Sequence, residues 1–549
     1  MAILGTHHPV ARPAGRRCWP GTVLLLAALI AAAPPSRCQR DPAGVHYEVS
    51  NFDAARGTCR VTVEVPGGGD LTFALARWVP GYYWPFAARH YISDVALRLQ
   101  EGGAIRLRED SKRWTWHATV PQGRATTLTY TVRAGEDAGN RGLAHAFVAP
   151  DEAFFLPVSC LVYVKGQERL PHTLRVVGNR TICPLPVRDG AFQAANWDEL
   201  ADSPVEVGPR DLHTYTWSGR VVRLITSGPR ACDFGPLAGV TRRALDEMAA
   251  LFGGTPFPDY TCQLHFGEGR PRGVIGLEHA RSATLIFGEQ DWPTNETLRG
   301  AATNLIFHEQ FHAWNAKAFR PAVLTPYRYD ANPRCGTLWF VEGFTSYYGA
   351  LLPVRAGVWT REQFYADAAH AYDRTLRSAG RGRTSLRRAS EAAFASPVYG
   401  EGEGTSYYNQ GQLVAMLLDL RLRTLSDGRR SLDDVMRWVF RQYPSDKRGY
   451  ADDFLPGAIR QATGLDLSAE CTRFIDGVAD LPVEQYLALA GLRVEQIEGR
   501  PRITEDPMAS PQAVALREGW LSERDARRAE RRVEGVSGLG RWAFGLGSQ

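Results

Sequence analysis

Ile306-Phe307-His308-Glu309-Gln310-Phe311-His312-Ala313-Trp314 is the stretch on which the reading of this chain turns. Residues four apart on a helix share a face, so His308 and His312 can aim at one point. Two imidazoles so placed make half of a tetrahedral zinc site. Glu309 stands where it can act on a metal-bound water. A solvated helix that happens to carry two histidines is the plainer alternative. The surrounding residues 299–319 read as helix, closed at Arg320-Pro321 because proline cannot continue the hydrogen-bond ladder.

Downstream, residues 337–352 and 411–424 read as two further apolar helices. In the first of them Glu342 is the only charged residue of Leu338-Trp339-Phe340-Val341-Glu342-Gly343-Phe344-Thr345-Ser346-Tyr347-Tyr348. A buried carboxylate needs a cation close by. Zinc held by His308 and His312 would supply it; pairing with an arginine such as Arg320 is the alternative. Ser431-Leu432-Asp433-Asp434 has the form of a capping box with Asp in place of the usual Glu. Upstream, residues 237–252 read as helix and 260–266 as a strand, and a Gly- and Arg-rich turn then leads into 273–279 and a further apolar run at 283–287. Before them, from about 46 to 222, short alternating runs such as Cys59-Arg60-Val61-Thr62-Val63-Glu64-Val65 are separated by Gly and Pro clusters, which argues an antiparallel sandwich-like domain.

The 549 residues, 44% hydrophobic and 22% charged, suit a globular protein of two or three domains. The net charge of +5 comes entirely from Arg12, Arg16, Arg17, Arg37 and Arg40. The remainder is neutral, which leaves no basic surface to argue for nucleic acid or an anionic membrane. Residues 1–40 read as an export signal: arginines, then an apolar core at 23–33 too short to span a bilayer. No later stretch reaches membrane length, so the mature chain is expected to be exported, periplasmic or secreted. Seven scattered cysteines beyond the signal exclude a cysteine zinc motif and leave disulfides open.

With these residues in view, the chain resembles the M61 family of glycyl aminopeptidase-like metallopeptidases, in the thermolysin-like clan. The likeness rests on His308-Glu309-Gln310-Phe311-His312-Ala313-Trp314-Asn315-Ala316-Lys317, Glu342-Gly343-Phe344-Thr345-Ser346-Tyr347-Tyr348, Gly276-Leu277-Glu278-His279 and Ser431-Leu432-Asp433-Asp434-Val435-Met436-Arg437. Trp78-Val79-Pro80-Gly81-Tyr82-Tyr83 and Asp202-Ser203-Pro204-Val205-Glu206 add to it upstream. Ile275 departs from it, standing where the family usually has a second glycine. The resemblance implies an α+β multidomain fold. Residues 1–40 would be the signal peptide, 45–225 an N-terminal antiparallel β-sandwich-like domain, and 226–490 a thermolysin-like zinc peptidase domain with a mainly helical C-terminal lobe. Residues 491–549, rich in Arg, Glu and Gly, read as a weakly folded tail without a clear PDZ domain.

It also implies hydrolysis of the N-terminal peptide bond of small peptides. One zinc ion per chain would be held by His308, His312 and Glu342. Glu309 would be the general base, and Tyr408, with Tyr407 as its neighbouring alternative, the donor to the oxyanion. Glu278 would hold the free amine of the peptide substrate, and Gly276 would leave room for its backbone beside an edge strand. Gly400-Glu401-Gly402-Glu403-Gly404 has the composition of a flexible loop that covers a site. A zinc endopeptidase on the same scaffold, or a non-catalytic peptide-binding protein, are the alternatives.

Overall fold

Residues Thr58–Val65 alternate half-exposed and buried along their whole length, as a strand does with one face on a core. In the computed structural model this strand lies inside an eight-stranded sheet, between Val45–Asp53 and Thr126–Arg133. The pairings of that sheet are antiparallel except that of Val45–Asp53 with His172–Val176. Gly69–Ala74 and Thr115–Val120 pair within a second sheet of four strands. Val61, Val63 and Tyr130 from the first sheet share a core with Phe73 and Trp116 from the second, so the expected sandwich-like domain is present. The structure describes residues 43–522, except 84–90, 135–145, 151, 179, 228–231, 267–272, 289–290, 295–296, 397 and 399. The signal-like segment 1–40 and residues 523–549 lie outside the described residues.

A five-stranded sheet follows, in the order Asp211–Trp217, Arg220–Ser227, Tyr260–Phe266, Ser282–Phe287, Val274–Glu278. Its three central strands run parallel, which requires crossover connections. Helix α1, Phe234–Phe252, makes the first of these. Every residue of Ser282–Phe287 is buried, as in a strand covered on both faces. Val274–Glu278 pairs antiparallel with that strand and forms the edge of the sheet. The boundary expected after residue 225 therefore falls inside Arg220–Ser227, and two strands read as part of the first domain belong to the five-stranded sheet. Alternation reads the same whichever sheet a hairpin joins, so only the pairing decides.

The helices that carry the site are α2 (Ala301–Phe311), α3 (Phe344–Arg355), α4 (Arg361–Leu376) and α5 (Asn409–Leu425). The edge strand packs on α2, α2 on α3, and both α3 and α5 on α4. Helix α6, Leu432–Gln442, opens with the expected capping box between Ser431 and Asp434.

The stretch from residue 491, read as weakly folded, is folded as far as 522. It forms a hairpin of Leu492–Ile497 with Arg500–Glu505 and a helix at Pro511–Leu521. Trp520 is fully buried, and its indole N–H donates to the Tyr347 hydroxyl at 2.8 Å. Arg517 donates to the carbonyls of Ala490 and Gly491. A segment with few apolar residues gives little sequence signal, yet one tryptophan and one buried arginine anchor it to the helical lobe. Among the described residues no strand follows Glu505. The seven cysteines beyond the signal-like segment are free thiols. Among the described residues no helix is long and apolar enough to cross a membrane.

Candidate metal centre and active-site cavity

Helix α2 ends at Phe311, well short of the expected residue 319. His312 closes it at φ −62°, ψ −21°, still helical, so His308 and His312 keep their common face. The chain then turns sharply, with Ala316 at φ 109°. Asn315 explains the early stop. Its side-chain amide donates to the carbonyls of Phe340 and Val341 and to the Thr345 hydroxyl, at 3.0, 3.1 and 3.1 Å. Those acceptors lie on the segment that carries Glu342, so one asparagine ties the histidine turn to the glutamate. Trp339–Gly343 is wound as a short π-helix that leads into α3, an irregularity that often marks a functional position. Gly343 allows this packing, because a Cβ there would overlap the backbone of Gly411.

The three expected ligands converge. The Nε2 atoms of His308 and His312 are 3.0 Å apart, and Glu342 Oε2 lies 3.4 and 3.2 Å from them. His312 Nδ1 donates to the Asn315 carbonyl at 2.8 Å, which orients the ring so that Nε2 faces Glu342. Arg320, the alternative partner, lies instead over the Tyr327 ring, 4.0 Å from its centroid. Glu278, Glu309 and His312 form a second close group, all donor atoms lying within 4.8 Å of one another. Tyr408 stacks on His308 with ring centroids 6.1 Å apart.

The electrostatics call for a cation. Burial alone would raise the Glu342 carboxyl, but His312 and His308 outweigh it and hold it down at about 2. Burial also pushes Glu309 well above the usual carboxylate range; His312 opposes this, and Glu278 and Glu342 add to it. For His312, burial disfavours the charge, but the surrounding carboxylates, Glu342 first, draw a proton onto it and lift it to about 10. Glu342, Glu309 and Glu278 thus lean chiefly on the His312 imidazolium, with Lys317 adding to its effect on Glu309 and Glu278. One oxygen each of Glu342 and Glu278 has no hydrogen-bond partner. A buried orphan oxygen is costly unless something else meets it. Two imidazole nitrogens and a carboxylate are the donor set of catalytic zinc, with one position left open, and the residues present fit that ion.

These groups line a cavity of about 310 Å³, together with Gly81, Ile275, Gly276, Ser346, Asp367 and Gln412. Two expectations about its walls need correction. Gly276 does line the cavity, but the space a side chain would take there is filled by Glu309, which a Cβ would overlap. On the same strand Val274 and Ile275 also line the cavity, whereas Leu277 packs into the core of the N-terminal domain. The loop 400–404, read as a flexible cover, is a small hairpin of Glu401–Gly402 with Thr405–Ser406, packed on the helix Leu386–Ala392. Of the two candidate tyrosines, Tyr408 faces the cavity while Tyr407 is buried.

Sequence reasoning missed several contributors. Gly81 reaches the site from the N-terminal domain, and a Cβ on it would overlap Glu278. Asp202, at the end of the helix Trp197–Ala201, accepts from Lys317 Nζ at 2.9 Å, from His279 Nδ1 at 3.1 Å and from the Ala280 amide at 2.7 Å. It holds the end of the edge strand next to Glu278. Asp367 and Gln412 lie on helical faces with no local pattern to mark them.

A sequence model of the M61 peptidase N-terminal domain matches residues 46–209, and one of M61 glycyl aminopeptidase matches residues 301–414. No curated protein sequence matches significantly. Among solved structures, the chain is similar to an aminopeptidase N family protein from Idiomarina loihiensis, with TM-score 0.76 and 24% identity over 82% of this chain and 79% of that one. It is also similar to an M1 zinc metallopeptidase from Deinococcus radiodurans, solved as a mutant with a Tyr-Ser-Ala substrate, with TM-score 0.51 and 15% identity over 82% of this chain and 97% of that one. These likenesses show the fold: an N-terminal β domain followed by a mixed sheet and a helical lobe. The two family matches together span about half of the chain, and they take in His308, Glu309, His312, Glu342 and Tyr408: the chain belongs to the M61 peptidase family and is a peptidase.

Proposed function

We propose that this peptidase is a zinc-dependent aminopeptidase that removes the first residue of small peptides. The observation that carries the reading is Glu278. It is buried in the cavity wall with an unpartnered oxygen, within reach of both Glu309 and His312. A free α-ammonium is a group that would satisfy it. One zinc per chain would be held by His308, His312 and Glu342. When bound, it supplies a Lewis acid that polarises the scissile carbonyl and makes water a better nucleophile. Glu309, packed against Gly276, takes the proton from the attacking water and passes it to the departing amine. Tyr408, on the His308 side of the cavity, donates its hydroxyl hydrogen bond to the carbonyl oxygen as negative charge develops there. The arginine-flanked apolar segment at 1–40 supports export to the periplasm or beyond.

The test compares a tripeptide having a free amine with its N-acetylated twin. The free peptide should be cleaved well and the acetylated one poorly. Glu278→Ala should raise KM for the free peptide and narrow the gap between them, because its charge-assisted contact is lost. Equal cleavage of the two peptides by wild type would replace the aminopeptidase reading with an endopeptidase.

Tyr408→Phe should lower kcat by roughly 10²-fold, the scale for one oxyanion donor, with zinc content unchanged. Tyr407→Phe serves as the control. If it reproduces the loss and Tyr408→Phe does not, the donor is the buried neighbour.

A further inference from the structure

Among the described residues the cavity wall carries four carboxylates, those of Glu278, Glu309, Glu342 and Asp367, and neither lysine nor arginine. The proposed reaction accounts for three of them. Glu342 and Glu309 face the metal site, and Glu278 faces the α-ammonium. Asp367 has no such use. It is partly buried on α4, with the cavity on its open side. It accepts a hydrogen bond from Gln412 Nε2, and among the described residues it forms no ion pair. Burial pushes its carboxyl up to about 6, against the Gln412 hydrogen bond, with no neighbouring charge to bring it down. A carboxylate in that setting gains from any cation that reaches it.

Its position says which part of a peptide could do so. Glu278 sits on the edge strand. That strand packs on α2, α2 on α3, and α3 on α4. The metal ligands come from α2, its C-cap and the turn that leads into α3, so in this packing order they fall between the elements that carry Glu278 and Asp367. With the amine at Glu278 and the scissile carbonyl at the ligands, the first residue is used up. Along the same order, the peptide beyond the cleaved bond would continue towards α4, whose Asp367 lines the same cavity.

We propose that Asp367 makes the subsite for the second residue of the peptide, the one after the scissile bond, select lysine or arginine. The proposal rests on the aminopeptidase reading given above. Ala-Lys-Ala and Ala-norleucine-Ala differ at that residue by a charge on a stem of similar length. The zinc-loaded wild-type enzyme should show a kcat/KM for the lysine peptide higher by about tenfold or more, the lower range for one charge-assisted hydrogen bond. In Asp367→Asn the ratio should fall to within about twofold of one. Asp367→Ser reads the same ratio if the asparagine variant does not fold.

Equal cleavage of both peptides by wild type, with their acetylated twins left intact, overturns this proposal and leaves the aminopeptidase reading standing. Failure to discriminate against acetylated peptides overturns that reading instead. A lysine preference that survives loss of the carboxylate removes Asp367 from the assignment. A preference seen between Lys-Ala-Ala and norleucine-Ala-Ala, and absent at the second residue, moves the subsite to the other side of the bond and overturns the proposal as stated.

Discussion

Glu309→Gln is expected to lower kcat by roughly 10²-fold or more while the protein keeps its zinc and its fold. The substitution keeps the shape that fills the space beside Gly276, where a Cβ would overlap Glu309. It removes the one property the reaction needs, an oxygen that can accept a proton and give it back. The fold should not suffer, because a neutral amide relieves a carboxylate that burial, Glu278 and Glu342 all disfavour. Steady-state rates, metal content and melting temperature on the same sample separate these effects. An active Glu309→Gln enzyme with full zinc would place the base on another residue. An inactive one that has lost its zinc would mean that Glu309 helps to hold the ion.

His312→Ala should have the largest effect of all. Loss of an outer partner of a metal ligand already costs roughly 10–100-fold in affinity or activity, so loss of a ligand should weaken zinc binding by more than that. His312 is also the residue shared by the two groups of the site, the ligand set and the Glu278–Glu309 pair. Its removal takes away the main counter-charge of Glu342 as well as a ligand. Wild type should hold about one zinc per chain, lose activity on chelation and regain it when zinc is returned. The variant should hold little zinc after dialysis and show no such recovery. Full zinc occupancy and activity in both His312→Ala and His308→Ala would exclude these residues as the metal centre.

Four of the proposed site residues stood out in the sequence because each obeys a local rule. His308 and His312 are related by helical periodicity, and His312 at the C-cap keeps that relation although the helix ends there. Glu342 was marked by its isolation in an apolar segment, since a lone charge among buried aromatics must be compensated. Glu309 followed from a motif with a mechanism attached, and Tyr408 only from the family resemblance. The capping box at Ser431 is equally local, with both of its hydrogen bonds closing within four residues.

What the tertiary structure alone decided depends on contacts between distant parts of the chain. Asn315 ends α2 early because its amide is needed by carbonyls at 340 and 341, a demand that no window of sequence displays. Arg220–Ser227 joins the five-stranded sheet because Tyr260–Phe266 lies beside it in parallel, and parallel pairing leaves no turn signature between neighbours. The hairpin and helix after 491 are held by Trp520 and Arg517 reaching back to the helical lobe, which average composition hides. Gly81 and Asp367 come to one cavity from a β domain and a helix nearly three hundred residues apart. The sequence by itself marked the paired histidines and the lone Glu342, because periodicity and isolated charge are properties of a short segment. Folding alone decided which strand, glycine and carboxylate surround them, because that depends on which surfaces the whole chain buries together.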